Sequence, residues 1–385
     1  MIMERKEILS CVRCIMDSGS DPDLVLDDKG VCNHCRNYDD GAAKLPKEPE
    51  RQHNFNTLIS QLVREGKNKQ YDAIMGVSGG VDSTYLAYMA YQQGLRILLV
   101  HCDNGWNTET SVRNIENIIK KTNYDLHTVV LNWDEFRDIQ ISFFKAGVVD
   151  IELPYDYALM ISMYLIARKY NIHNILSGHN LVTEGTYMPK SWVHSKMDII
   201  NIKAIHSKFG TMPMKTFPHL SPWVYSYYEL TKHFHRIALL NYMEYDKAKA
   251  KEIITEKLNW SDYGGKHYES VFTRFYQGYI LPQKFHIDKR LFHLSTLICS
   301  GQISREDALL EMSKPTYVNE SLFVEDFEYV KKKLGFTAQS WEEYMNAPVH
   351  KHLEYANISS YWKKYYKVIG VLKPFEVMLR TLGKK

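Results

Sequence analysis

Two groups of residues in this chain have the types and spacing that chemistry needs. The first is Ser78-Gly79-Gly80-Val81-Asp82-Ser83. The apolar run Tyr71 to Val77 precedes it and reads as a buried strand. Val81 to Gln93 follows at helical period, with Leu86, Met89 and Ala90 on one side. A glycine turn between strand and helix points several backbone N–H groups one way, at the positive end of the helix dipole. Gly79 and Gly80 let the backbone approach an anion without a Cβ in the way. Ser78 and Ser83 can add hydroxyl donors, and Asp82 can hold a metal or cap the helix. The chemistry on offer is the cradling of phosphate, but no Gly-Lys-Ser/Thr follows, so this is not a Walker A loop. The bland alternative is a strand-to-helix turn with an ordinary cap.

The second group is Cys11-Val12-Arg13-Cys14 with Cys32-Asn33-His34-Cys35. Each pair can form a knuckle whose thiolates face one ion, and Cys11, Cys14, Cys32 and Cys35 together close a tetrahedral zinc site. An iron–sulfur cluster is the other occupant this pattern allows. Four sulfurs leave no open position, so the role is folding, docking or partner contact. His34, between two ligands, reads as an exposed knuckle residue.

The elements that must position these groups follow in order. Residues 1–45 form a zinc-ribbon-like module and 46–70 a linker with a docking helix from Phe55 to Arg64. Residues 71–205 alternate strand and helix. Leu95–Cys102, Leu126–Leu131 and Asn174–Ser177 are the further strands; Thr108–Lys121 and Pro154–Tyr170 are helices. That alternation predicts an α/β fold with a doubly wound parallel sheet, with ligands beyond the carboxyl ends of the strands. Two more loops should meet the cradle there: His101-Cys102-Asp103-Asn104-Gly105-Trp106-Asn107, and Ser177-Gly178-His179-Asn180 with Thr183-Glu184-Gly185. Glu184 or Asp103 could hold Mg²⁺ against phosphates. For His101 and Cys102 strand-end packing is the alternative.

Beyond about residue 205 the strands fade. Residues 206–385 read as mostly helical, with amphipathic helices at Tyr228–Met243, Asp246–Leu258, His267–Tyr279, Lys289–Cys299 and Arg305–Glu311. Ser304-Arg305-Glu306-Asp307 and Ser340-Trp341-Glu342-Glu343 read as capping boxes. Bases recur at Lys266, Arg274, Lys284, Lys289 and Arg290. They could complete the neutralisation of a triphosphate or form a solvated helix face.

The Ser-Gly-Gly-x-Asp-Ser loop resembles the PP-loop of the ATP pyrophosphatase superfamily, whose fold is adenine nucleotide α-hydrolase-like. Those enzymes split ATP between the α and β phosphates and adenylate an oxygen. The resemblance implies ATP and Mg²⁺, with Val77, Ser78, Gly79, Gly80, Val81, Asp82 and Ser83 around the pyrophosphate. It places His101, Asp103, Gly178, His179 and Lys284 by the nucleotide, and Asp82, Ser83, Lys266 and Glu184 in the chemistry. More of the chain is similar to the bacterial N-acetyl sugar amidotransferases of surface-polysaccharide and pseudaminic-type synthesis. The matching stretches are Cys14-Ile15-Met16-Asp17, Gly30-Val31-Cys32-Asn33, Asn201-Ile202-Lys203-Ala204-Ile205-His206, and Gly264-Gly265-Lys266-His267-Tyr268-Glu269-Ser270 to Asp288-Lys289-Arg290. Ser18-Gly19-Ser20 departs from the shorter turn expected. This resemblance implies an N-acetyl sugar substrate, an amidine product, and nitrogen from a separate glutaminase with its ammonia-conducting partner. The residues agree: position 2 is Ile, and Cys102 and Cys299 sit in no nucleophile elbow.

Composition narrows the field. A net charge of +3 over 385 residues is too weak for a nucleic-acid binder. No run is long and apolar enough for a bilayer and Met1-Ile2-Met3-Glu4-Arg5-Lys6 is no signal peptide, so the expected place is the cytoplasm, with no membrane contact. Two rivals are a PP-loop tRNA-thiolating enzyme, which would want a basic surface, and a non-enzymatic zinc-ribbon binding protein, which would not need an intact cradle loop.

Overall fold

The computed structural model describes residues 8–265, 268–317 and 319–369. Five parallel strands form one sheet: β1 Ala73–Gly76, β2 Ile97–Asp103, β3 Asp125–Val130, β4 Asn174–Leu176 and β5 His235–Ile237, in the order β3-β2-β1-β4-β5. Register is continuous, with Ala73 opposite Ile97, Met75 opposite both Leu99 and Leu176, and Leu98 opposite Asp125. The order reverses between β1 and β4, where a crevice opens beyond the strand ends.

Helices cover both faces. In chain order they begin with α1 Asn33–Ala42, α2 Glu50–Glu65, α3 Val81–Gln92, α4 Glu109–Thr122, α5 Trp133–Ala146, α6 Leu153–Lys169, α7 Leu181–Glu184, α8 Ile199–Phe209 and α9 Pro222–Thr231. Then come α10 Lys247–Leu258, α11 Val271–Phe275, α12 Leu281–Phe285, α13 Lys289–Cys299, α14 Arg305–Met312, α15 Glu320–Leu334, α16 Ala338–Asn346 and α17 Ile358–Ile369. Strand residues alternate between two cores. Ala73, Met75, Ile97 and Leu99 pack with Leu86, Ile115, Ile118 and Ile254 from α3, α4 and α10. Ile74, Leu98, Val100 and Cys102 face Phe136, Ile161 and Ile202 from α5, α6 and α8. β1 and β2 are therefore apolar on both faces, which is why their sequences read as unbroken runs.

The zinc-type module joins the second core. Met16 and all four of its cysteines are buried in the cluster that holds α5 and α6. No helix among the described residues is long and apolar enough to cross a membrane.

Several sequence expectations are corrected. Tyr228–Met243 is not one helix: α9 ends at Thr231, β5 pairs with β4, and Leu239–Tyr242 is a 3₁₀ turn. A three-residue edge strand is too short to show an alternation, so the sheet runs further than residue 205. The helix expected over His267–Tyr279 is α11, a π-helical turn at Tyr276–Ile280, and α12 in succession; His267 lies outside the described residues. The box at Ser340 is shifted. Thr337 is the N-cap of α16, and Ser340 is the third helical residue reaching back to it. His34 is not exposed. It is 4% exposed and bonded at 2.7 Å to Asp21.

Candidate active site

The cradle is bolted in place from below. Val77 N–H continues the β1 pairing by donating to Val100 C=O at 2.8 Å. Gly79 takes a φ of +78°, and a Cβ there would lie 2.5 Å from the Ser111 carbonyl oxygen. Only glycine fits this position. The Gly79 carbonyl accepts from Trp260 Nε1 at 2.9 Å and Asn114 Nδ2 at 3.3 Å. α4 and the chain after α10 thus fix the loop. α3 starts after Gly80 with no side-chain cap, at the mouth of the crevice, and its Val81 N–H meets the hydroxyl of Tyr263, which lines the same opening. Ser78 Oγ and Ser83 Oγ stand 3.4 Å apart at this opening.

Strand β4 delivers the opposite wall. A Cβ on Gly178 would lie 3.3 Å from Ser83 N, so glycine is what lets this loop approach the start of α3. Asp82 Oδ1 accepts from Tyr245 Oη at 2.5 Å and from Asn180 Nδ2 at 3.2 Å. Burial and the Asp82 carboxylate raise the Tyr245 pKa, so its proton stays on as donor. Asn180 also caps α7, whose last residue is Glu184, bonded to His179 Nδ1 at 2.7 Å. The carboxylate pair Asp82 and Glu184 is thereby oriented from two adjacent strand ends.

These walls enclose a cavity of about 340 Å³. Of the residues read from sequence, Ser78, Gly80, Val81, Asp82, Ser83, Gly178 and Glu184 line it. Val77 and Gly79 are not in its lining; they tie the loop to β2, α4 and Trp260. His101 does not reach it: its Nδ1 meets Val77 C=O at 3.1 Å and its Nε2 meets Asn107 at 3.1 Å. Asp103 is spent locally, accepting from Gly105 N at 2.8 Å and Asn107 Nδ2 at 3.0 Å. His179 supports Glu184 from outside the lining. Lys284 is a correction. It is 6% exposed and donates to the carbonyls of Tyr344 at 2.6 Å and Ala347 at 2.7 Å, so it compensates the carboxyl end of α16, not a phosphate. Lys266 lies outside the described residues.

Sequence reasoning missed Lys247, Lys251, Asp262, Tyr263 and the site role of Glu269, all of which line the same cavity. Lys247 and Lys251 stand one turn apart at the start of α10, where lysines look like a solvated face. Lys251 is held by Asp262 at 2.5 Å. The cavity's two lysines and four carboxylates suit a metal–nucleotide complex, in which Mg²⁺ would sit against Asp82 and Glu184. A second cavity, of about 730 Å³, adjoins it and shares Lys247, Gly264 and Gly265.

The four thiol sulfurs of Cys11, Cys14, Cys32 and Cys35 lie within 4.8 Å of one another. Backbone N–H groups point at them: Arg13, Cys14 and Cys32 at Cys11 Sγ, and Met16 at Cys14 Sγ, at 3.3–3.5 Å. Such donors stabilise thiolates, so the site fits zinc. The module docks on α13 and α14. Ile15 N–H donates to Ser295 Oγ at 3.4 Å and Arg305 Nε to Cys14 C=O at 3.2 Å. A fifth sulfur, Cys299 Sγ, is 3.5 Å from Cys35 Sγ. Cys102 is 1% exposed, and burial pushes its thiol up to about 12.

Comparison with known proteins adds to this geometry. Residues 72–187 match the family model of the queuosine biosynthesis protein QueC. Residues 269–369 match that of the LPS biosynthesis protein WbpG-like, C-terminal domain. No curated protein matches. Among solved structures, the NMN synthetase from Francisella tularensis is 16% identical, with 54% of this chain and 87% of that one covered and a TM-score of 0.29. The NH3-dependent NAD synthetase from Campylobacter jejuni is 13% identical, with 78% and 98% covered and a TM-score of 0.30. The chain is a PP-loop ATP-utilising enzyme, similar to QueC through its sheet and to WbpG-like proteins through the helices that follow.

Proposed function

We propose that the chain is an ATP-dependent amidotransferase acting on an N-acetyl sugar in lipopolysaccharide biosynthesis. The observation that carries this is the junction of the two cavities. A phosphate cradle on the QueC-like sheet opens directly onto a second cavity walled by the WbpG-like segment.

An acetamido carbonyl is a weak electrophile with no leaving group. Its oxygen attacks the α-phosphorus of ATP; an O–P bond forms, the bond from that phosphorus to the bridging oxygen breaks, and pyrophosphate departs with the electron pair. The N–H groups at the start of α3 and the hydroxyls of Ser78 and Ser83 receive that charge where it develops. Mg²⁺, when bound, supplies further neutralisation. The sugar now carries an O-adenylyl imidate. Ammonia adds to the imidate carbon, AMP leaves with the former carbonyl oxygen, and a proton leaves the nitrogen to give an acetamidino sugar. The chain's own cysteines do not suit glutamine hydrolysis. Cys102 is a buried thiol and Cys299 lies against Cys35. Ammonia therefore comes from a separate glutaminase and its ammonia-conducting partner.

The test combines purified protein, Mg·ATP, a 2-acetamido sugar and high ammonium. AMP, pyrophosphate and a sugar lighter by about one dalton are expected, since NH replaces O. ADP with phosphate would contradict adenylation. Sulfur entering a tRNA would favour thiolation instead, and glutamine use by this chain alone would refute the reading of its cysteines.

A further inference from the structure

One of the N–H groups that the cradle offers to phosphate is already in use. Val81 is the first residue of α3, so its N–H has no acceptor within the helix. It donates instead to the hydroxyl oxygen of Tyr263. That oxygen stands where a phosphate oxygen would. A Cβ on Gly80 would lie 3.2 Å from Tyr263 Oη and 3.1 Å from Ser78 Oγ, so the hydroxyl shares the cradle opening with the serine. The residue before it treats a cation in the same way. Asp262 Oδ2 holds Lys251 Nζ at 2.5 Å, and both residues line the cradle cavity. Two neighbouring side chains thus give an oxygen to one backbone donor and to one ammonium, the two kinds of group that a phosphate needs.

Neither contact is strong. Burial, with the carboxylates of Glu269 and Asp82, pushes the Tyr263 pKa up, so the phenol stays neutral. Hydrogen bonds to a charged phosphate oxygen are roughly twice as strong as those to a neutral hydroxyl. The Asp262–Lys251 pair has side-chain exposures of 49% and 39%, and a pair so open to water contributes little. The chain around Tyr263 is fixed on one side and open on the other. Trp260 Nε1 donates to Gly79 C=O and Ser261 N–H to Asn114 Oδ1, both at 2.9 Å, so the segment is anchored to the loop it covers. The tyrosine ring packs edge-on against Trp260, with centroids 5.6 Å apart. Beyond it Gly264 has a φ of +91°, and a Cβ there would meet no described atom within 4 Å. Tyr263 can turn away at this glycine while the anchor stays.

We propose that the Tyr263 hydroxyl is an internal stand-in for a phosphate oxygen, displaced when pyrophosphate or a nucleotide enters the cradle and returning as pyrophosphate leaves. The proposal rests on reading the loop as a phosphate cradle and is independent of which acceptor is adenylated. The test is calorimetric titration of the full zinc-loaded chain with pyrophosphate and Mg²⁺. Tyr263→Phe keeps the ring on Trp260 and takes away the competing oxygen. Pyrophosphate should then bind about three- to tenfold more tightly, the worth of one hydrogen bond. Damage to the wall would weaken binding, so the sign separates displacement from a structural role. Val81→Pro supplies the second arm. Proline suits the first helical position, and Gly80 before it is extended, with ψ 162°, as a following proline requires. The contested N–H is absent from that variant, so adding Tyr263→Phe to it should change pyrophosphate affinity by less than about twofold. Unchanged or weaker binding by Tyr263→Phe alone would overturn the stand-in and leave the cradle in place. The same gain with and without Val81→Pro would overturn it too, since the hydroxyl would then act elsewhere. A chain that bound no pyrophosphate at all would refute the cradle itself, and the stand-in with it.

Discussion

The two cavities meet at Lys247 and the Gly264–Gly265 turn, yet they are built by opposite means. The phosphate-facing edge of the cradle cavity is made from backbone. Its donors are N–H groups at a strand-to-helix turn, and its shape depends on Gly79, Gly80 and Gly178 having no side chain. The second cavity is made from side chains, presented by α11, α13 and α14 and held by buried or partly buried ion pairs. A backbone site recognises one group, phosphate, wherever it occurs. A side-chain site can be rebuilt for each acceptor while the first stays the same. The difference implies that loss of one cavity should spare the other, and each experiment below probes that separation.

The sharpest break is Gly80→Val. A Cβ here would lie 3.1 Å from Ser78 Oγ and 3.2 Å from Tyr263 Oη, and the added methyls would project where phosphate must sit. Gly80 has an ordinary negative φ, −74°, so the chain should still fold. Pyrophosphate release should fall by more than about 100-fold, the scale of losing preorganised oxyanion-type donors. Unchanged release would remove the cradle from the mechanism. Retained binding of acceptor in the same variant is what separation of the two cavities demands.

Next in size is Arg274→Met. Arg274 and Asp326 are nearly buried, with side-chain exposures of 9% and 5%, and Tyr317 Oη adds a third bond to Asp326 at 3.0 Å. Methionine fills the space but leaves a buried carboxylate without its partner, a loss of about 3–5 kcal/mol. Chemical denaturation should show that loss. The double change Arg274→Met with Asp326→Leu should recover much of it. A single-variant cost below about 1 kcal/mol, the worth of a surface pair, would show the wall is not built as described.

This contrast also explains what the sequence made legible. The cradle was readable because backbone recognition leaves a local signature: two glycines, a preceding apolar run and a following helix. The four cysteines were readable for the same reason, since two close pairs carry their own geometry. The lining of the second cavity was not. Lys289 and Arg274 stand in one short stretch of sequence, yet one lies over the Tyr276 ring and the other on a buried aspartate 52 residues away. Lys284, close by, turns to the end of α16. Nothing in spacing separates a lysine that caps a helix from one that lies over a ring; only long-range packing does. His101 and Asp103 failed differently. They sit at a strand end, where ligands gather, but Asn107 folds back between them and uses both.

The smallest effect concerns the zinc-type module, and it decides to which cavity that module belongs. Its contacts run to α13 and α14, through Ile15 to Ser295 and through Arg305 to Cys14. Lys289, His293, Leu294 and Leu297 of the same α13 line the second cavity. An ion held by Cys11, Cys14, Cys32 and Cys35 therefore braces the wall built by α13 through hydrogen bonds, while α1 meets the cradle side only by apolar contact at Gly41 against Leu181 of α7 among the described residues. Replacing Cys35 by Ser should lower the zinc content measured by elemental analysis. It should raise the KM for the acceptor several-fold more than the KM for ATP, because a wall that can shift by a fraction of an ångström loses orientation before it loses binding. Cys299→Ala is the control. Its sulfur touches Cys35 at 3.5 Å but stands outside the group of four, so zinc should stay at about one per chain and KM values should hardly move. If Cys35→Ser weakened ATP and acceptor equally, the brace would serve the whole crevice, and the division between the two cavities would fail at this point.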